Sequence, residues 1–227
     1  MTSFELVLIA VLVIAAVAFT LNNRNKSEDT TPGWQIGPIV NGENYSSGAV
    51  LTQAADGVSI DIPFPSAEAG GVHYVTLPTG PLTGKTMIRM KCRLDMAPDA
   101  KLVPCKSPDA PSIISLYFQR GGDNWTAQGE YEAYRWYAAF CNRSPVVAGE
   151  FTLEAPLDGA WSAILTSTRA SNPAGFQAAL DNAARVGFVL GGGDGLGHGV
   201  YATGHSFGGI ILLFGMSLGL IKIFPVK

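Results

Sequence analysis

Between residues 57 and 203, apolar and polar side chains alternate in short runs, and turn residues separate the runs at roughly ten-residue spacing. Residues 57–62, 72–77, 86–94, 112–118 and 131–137 carry the pattern in the first half, and 149–154, 161–166, 185–190 and 199–203 in the second. A period of two places successive side chains on opposite faces of a strand, so each run predicts a half-buried strand. Pro63, Pro65, Pro78, Pro81 and Gly84 punctuate the first half. Strands of this number and length predict an all-β domain over residues 34–204, a β-sandwich or jelly roll of two sheets.

One helix interrupts the alternation. Asn172 offers an N-cap and Pro173 suits the first helical position. Phe176, Ala179, Leu180 and Ala183 then fall on one stripe, which predicts a short helix covering an open end of the sandwich.

Two segments show no alternation. Residues 6–21 carry no charge, and the stretch from Phe4 gives eighteen residues, about 27 Å as a helix, near the lower limit for crossing a bilayer. A cleaved signal peptide needs a basic start and a small-x-small cleavage site; Met1 to Phe4 has no Lys or Arg. The expectation is an uncleaved transmembrane anchor over residues 1–22, then a polar linker over 23–33. The second segment, 207–221, is uncharged and short for a span. As part of an apolar C-terminal tail (205–227) it reads as membrane-embedded, as a half-span, or as the last buried strands of the domain. Gly215 and Gly219 form a small-xxx-small pair that suits helix packing in a membrane. Arg24 and Lys26 place the linker in the cytoplasm by the positive-inside rule. The Lys-poor, turn-rich domain reads instead as periplasmic or extracellular, so orientation stays open.

The order Trp161, Asn172-Pro173, Phe176, Leu180, Arg185-Val186-Gly187-Phe188, a glycine run and His198-Gly199-Val200 resembles the last third of galactose-binding-like jelly-roll domains, of the laminin IV and carbohydrate-binding-module type. The resemblance covers about 45 residues. It implies a non-catalytic, extracytoplasmic binding module. The family continues with a polar-alternating strand where this chain runs into residues 207–221.

Composition sharpens this picture. Of 227 residues 47% are hydrophobic and 15% charged, with net charge −3. That balance excludes a nucleic-acid binder working through a broad basic face and a highly charged disordered chain. Much of the apolar excess sits in the two unalternating segments.

The candidate chemistry is sparse. Cys92, Cys105 and Cys141 fit no zinc spacing. A Cys92–Cys105 disulfide suits an oxidising compartment, Cys92–Cys141 is equally allowed, and so are three buried thiols. Gly204-His-Ser-Phe-Gly208 matches a nucleophile elbow, but no acid or His follows Ser206, so a serine hydrolase is only a remote alternative. The glycine-rich stretch 191–199 fits neither a dinucleotide nor a P-loop fingerprint and reads as a loop. His198 lacks a neighbouring partner for a metal, and no metal or cofactor is expected. The richest stretch joins Arg120, Asp123, Asn124 and Trp125 to Tyr131, Tyr134, Arg135, Trp136 and Tyr137. Sugars bind flat aromatic faces flanked by planar polar groups. Trp125 is the candidate platform; Arg120, Asp123, Asn124, Arg135 and His198 are candidate contacts. Alternation puts Arg135 and Tyr137 on one face and Tyr134 and Trp136 on the other, and one face must be core.

The sequence therefore predicts a membrane-anchored, extracytoplasmic, non-catalytic β-sandwich: an accessory or structural subunit of a membrane-associated assembly, or alternatively a carbohydrate-binding module. Its partners are the membrane, other proteins of a complex or a glycan, and not nucleic acid.

Overall fold

The computed structural model describes residues 33–220, apart from 47–48, 55–56, 63–65, 67–70, 72–73, 139–143, 146–147, 165–166, 193–196 and 205–209. The expected anchor and nearly all of the linker lie outside the described residues. Among the described residues no helix is long and apolar enough to cross a membrane.

The chain is all-β with one α-helix, as the alternation predicts. In order, the strands are β1 (Gln35–Gly37), β2 (Ile39–Val40), β3 (Glu43–Asn44), β4 (Val50–Ala54), β5 (Gly57–Asp61), β6 (Tyr74–Pro78), β7 (Lys85–Asp95), β8 (Lys101–Pro104) and β9 (Ser112–Arg120). Then come β10 (Arg135–Tyr137), β11 (Ser144–Pro145), β12 (Gly149–Pro156), β13 (Ser162–Ala163), the helix α1 (Pro173–Asp181), β14 (Ala183–Gly192), β15 (Val200–Thr203) and β16 (Ile210–Leu220). One sheet runs β1-β6-β14-β9-β10-β13, with β11 also on β9; the other runs β12-β7-β16-β5-β4. Short ribbons β8–β15 and β2–β3 flank them.

The two sheets share one core. Ile88, Met90, Cys92 and Leu94 of β7 alternate with exposed polar residues and point inward. Val75, Leu116, Phe118, Trp136 and Phe188 meet them from the larger sheet. The helix starts as read: Asn172 Oδ1 accepts from Gly175 N at 2.9 Å, with Pro173 in the first turn. Phe176, Ala179 and Leu180 are buried, and Phe176 packs edge-on against Phe118 and Trp136. Ala183, assigned to the same stripe, instead opens β14.

Three expectations change. Within the segment 207–221, left open between a membrane segment and the last strands of the domain, residues 210–220 form a strand: β16 pairs with β7 on one side and β5 on the other. An uninterrupted apolar run is compatible with a strand as well as with a helix, and the pairing shows the strand. Gly215 and Gly219 mark no helix packing; the register with β7 shifts between Phe214 and Met216 and between Gly219 and Leu220, as at β-bulges. Residues 131–137 are only half strand, because Gly129–Ala133 is a 3-10 turn and β10 starts at Arg135. The Cys92–Cys105 disulfide is absent: both are thiols. Cys92 sits in the core on β7, whereas Cys105 lies beyond β8 against Gly71, so the two belong to different layers. Cys141 lies outside the described residues.

Candidate functional site: an aromatic groove on the outer face of the larger sheet

β9 is buried at every position except its last, although only one of its faces meets the other sheet. Its second face carries a separate cluster of Tyr74, Tyr117, Tyr137 and Val189, from β6, β9, β10 and β14, with Trp125 packed against it. Two loops cover this face. The β9–β10 loop brings in Trp125, and the loop after β14 brings in Gly197, where a Cβ would stand 2.9 Å from Val189 Cβ and 3.2 Å from Tyr74 Cζ. With φ +74 as well, that position accepts little but glycine.

Asp123 organises the site. Its side chain is 1% exposed, and its carboxylate stands 2.9 Å from Arg135 Nε, itself 4% exposed. Gln119 Nε2 donates to Asp123 Oδ2 at 2.9 Å, and Trp125 N donates to Oδ1 at 3.0 Å. That turn holds Trp125 at φ 65, a left-handed conformation that bulky residues rarely adopt. Strain of this kind persists only where surroundings over-determine it, and it gathers at functional sites. Here the surroundings are Arg135, whose guanidinium lies 4.8 Å from the Trp125 ring centroid, and Tyr74, edge-on at 5.2 Å. Tyr74 and Tyr137 share a hydrogen bond between hydroxyls at 2.8 Å.

The electrostatics follow from burial. Desolvation pushes the Tyr117 and Tyr137 hydroxyls well above their ordinary range and also raises Tyr74. For Arg135 burial works against the charge, but Tyr137 and Asp123 outweigh it and hold the guanidinium above its usual value. Arg135 Nε is close to the carboxylate without aiming an N–H at it, so Nε, Nη2 and the Tyr117 hydroxyl are buried without a hydrogen-bond partner among the described residues.

Beside Trp125 a groove of about 280 Å³ opens to the surface. Tyr74, Trp125 and Gln119 form one part of its lining, Thr76 and Arg185 another, and Gln35 with Gly37–Ile39 a third. The β1–β2 segment is tied down: Asn44 Nδ2 donates to Ile36 O at 3.1 Å, Ser46 Oγ to Gly37 O at 2.6 Å, and Tyr45 N to Pro38 O at 3.0 Å. Arg185 Nε donates to Thr76 Oγ1 at 2.8 Å, and Nη2 donates to Thr76 O and Gly33 O. Walls fixed in this way suit recognition of a ligand without large rearrangement.

Of the candidate contacts, Asp123, Trp125 and Arg135 come together here. The other three do not join them. Arg120 lies over the Tyr134 ring at 4.4 Å. Asn124 Oδ1 accepts from Thr126 N and Thr126 Oγ1 and shapes the loop. His198 follows Gly197 on the covering loop but does not line the groove. Sequence reading missed Gln35, Tyr74, Thr76 and Arg185; Gln119 opens the polar-aromatic stretch but was not among the candidate contacts, although its pairing with Arg135 across β9 and β10 gives the two the same outward parity.

A larger groove of about 650 Å³ runs beside α1. Its aromatic, Phe176, is 3% exposed and belongs to the core, and Arg169 above it donates to Asp158 O. It offers no ring to a ligand, so the smaller groove is the stronger candidate. Among the described residues no group of three His, Cys, Asp or Glu could hold a metal. Ser206 lies outside the described residues.

No protein-family model matches the chain, and no curated protein matches it. Among solved structures it is similar to Xylanase10C (mutant E385A) from Cellvibrio japonicus in complex with xylopentaose, at 13% identity and TM-score 0.40. The match covers 86% of this chain and 28% of that one, and a likeness at this level says nothing about activity.

Proposed function

We propose that this chain is a membrane-tethered, extracytoplasmic jelly-roll module that binds carbohydrate and does not transform it. The observation that supports this reading is Trp125, held in a strained backbone conformation at the lip of a groove whose other walls are planar amides, a guanidinium and a tyrosine. A sugar ring presents C–H groups to an aromatic face and hydroxyls to flanking polar groups, and this lining offers both. The tether is residues 1–22, whose apolar run is long enough to span.

The test is glycan-array binding by the full chain in mild detergent. Wild-type protein binds at least one glycan class. Trp125→Ala weakens that binding by about tenfold or more, equivalent to about 1.4 kcal/mol. Absence of binding across the array overturns the reading.

A second reading, an accessory or structural subunit of a membrane-associated assembly, is favoured by a different observation. Ile39, Tyr45 and Val50 are large apolar residues left 38%, 51% and 55% exposed, and β4, which carries Val50, is the outermost strand of its sheet. Unpaired sheet edges with apolar side chains are sites of association. Native mass analysis after detergent extraction separates the readings: a stoichiometric complex supports the subunit, a lone chain the glycan binder.

A further inference from the structure

Among the described residues the two large sheets end in four outer strands, and three of these are blocked against further pairing. β12 carries exposed Glu150 and Glu154 and ends at Pro156. β1 is three residues long and is followed by Pro38. β13 is two residues long. Short strands, charged side chains and proline are the means by which sheet edges resist pairing with another chain. The fourth outer strand, β4, has none of them. It runs Val50-Leu51-Thr52-Gln53-Ala54, and the chain carries no charge and no proline from Tyr45 to Ala55. Among the described residues β4 pairs with β5 alone, so the backbone groups on its other side are open. Val50 is 55% exposed, and Thr52, on the same face, is exposed as well. Leu51, in register with the buried Ile60, is only partly buried where it packs against the core.

This edge is complementary to itself. About a two-fold axis through Thr52, two antiparallel β4 strands set Thr52 opposite Thr52, Val50 opposite Ala54 and Leu51 opposite Gln53. No like charges meet, and Thr–Thr pairs stabilise antiparallel strands. The contact is also closed, because the same edge serves on both copies. It joins two five-stranded sheets into one, and both ends of the joined sheet are then β12, the edge that Glu150, Glu154 and Pro156 block. One open edge and one blocked edge on the same sheet therefore suit a pair of chains and not a fibre.

We propose that two copies of this chain pair through β4 in antiparallel register and form one continuous sheet across a two-fold axis. This rests on the exposed edge that favours the subunit reading above, and it names the partner at that edge as a second copy.

The test is native mass analysis of the full chain in mild detergent over a dilution series. Thr52 is the probe, because it is exposed and sits on the proposed axis. Wild-type chain is expected to be dimeric at the concentrated end and to dissociate on dilution. Thr52→Lys sets like charges opposite each other across the axis, and Thr52→Glu does the same with the other sign. Each variant alone raises the dimer dissociation constant about fivefold or more. An equal mixture of the two variants restores a mixed dimer, which weakens as salt is raised. Mixing would not cure a folding defect. Should these variants not fold, Val50→Lys replaces them and lowers the dimer fraction at fixed concentration. A wild-type dimer that no added charge on β4 weakens overturns the pairing, as does a mixture that stays monomeric or an assembly larger than two copies. A complex with a different protein and no second copy overturns the pairing and keeps the subunit reading. A lone chain at every concentration removes both.

Discussion

At the residue scale, the Asp123–Arg135 pair decides how firmly the site is built. Both side chains are essentially inaccessible, so each charge depends on the other and on nearby dipoles. Asp123→Ala strands the Arg135 guanidinium and also frees the Trp125 backbone. The expected loss in folding stability is about 3–5 kcal/mol, read by urea denaturation. Removing both charges, Asp123→Ala with Arg135→Met, costs less than the single change, because no charge is left buried alone. Cys92 gives a second test. Burial pushes its thiol up to about 12, so at pH 8 it stays protonated and unreactive to maleimide in the native chain. Rapid native labelling of Cys92 contradicts that placement; urea-unfolded protein labels readily. The site residues were only partly legible. Asp123, Trp125 and Arg135 lie within one aromatic stretch and could be read locally. Tyr74 and Arg185 reach the same groove from β6 and β14, and the Arg185–Thr76 contact spans 109 positions. Local pattern cannot report such pairs.

At the scale of elements, close approach of strands matters most along β6 and β14. A Cβ at Gly187 would run into the Val75 carbonyl and stand 2.8 Å from Thr76 Cα. Gly187→Ala therefore forces β6 away from β14, with an expected cost of about 1–3 kcal/mol by thermal or urea unfolding. Since β6 carries Tyr74 and Thr76, ligand binding should weaken with it. The same glycine is part of the Arg185-Val186-Gly187-Phe188 motif on which the family resemblance rests, and the contact supplies a physical reason for glycine there. Strand periodicity gave most of the long strands within one or two residues, because alternation survives wherever one face is solvated. It left β16 open, because that run does not alternate, and it failed for 131–133, where a 3-10 turn replaces strand.

For the whole molecule, the outer tyrosine cluster ties stability to pH. Burial raises the hydroxyls of Tyr117 and Tyr137 above their unfolded value near 10. The folded state therefore holds these protons after the unfolded chain has released them. Stability is full below about pH 10 and falls as pH rises beyond it. Melting temperature measured from pH 8 to 11.5 should be level, then decline. Tyrosinate absorbance in the native chain should lag behind that of the unfolded chain. A melting temperature that does not decline above pH 10 contradicts the burial of these rings.

The sequence by itself determined the all-β class, the capped helix and the inward parity of the core strands. Each is encoded within a few residues, by a period of two, a cap or an apolar stripe. It also located Trp125 and its acidic and basic neighbours. Only the tertiary structure decided that a second face of the larger sheet is buried, that Tyr74 and Arg185 complete the groove, and that the apolar run at 210–220 pairs within a sheet. Those outcomes depend on which distant strands become neighbours and which loops fold over them. Hydrophobic periodicity says that a side chain must be covered, while pairing and loop placement settle what covers it.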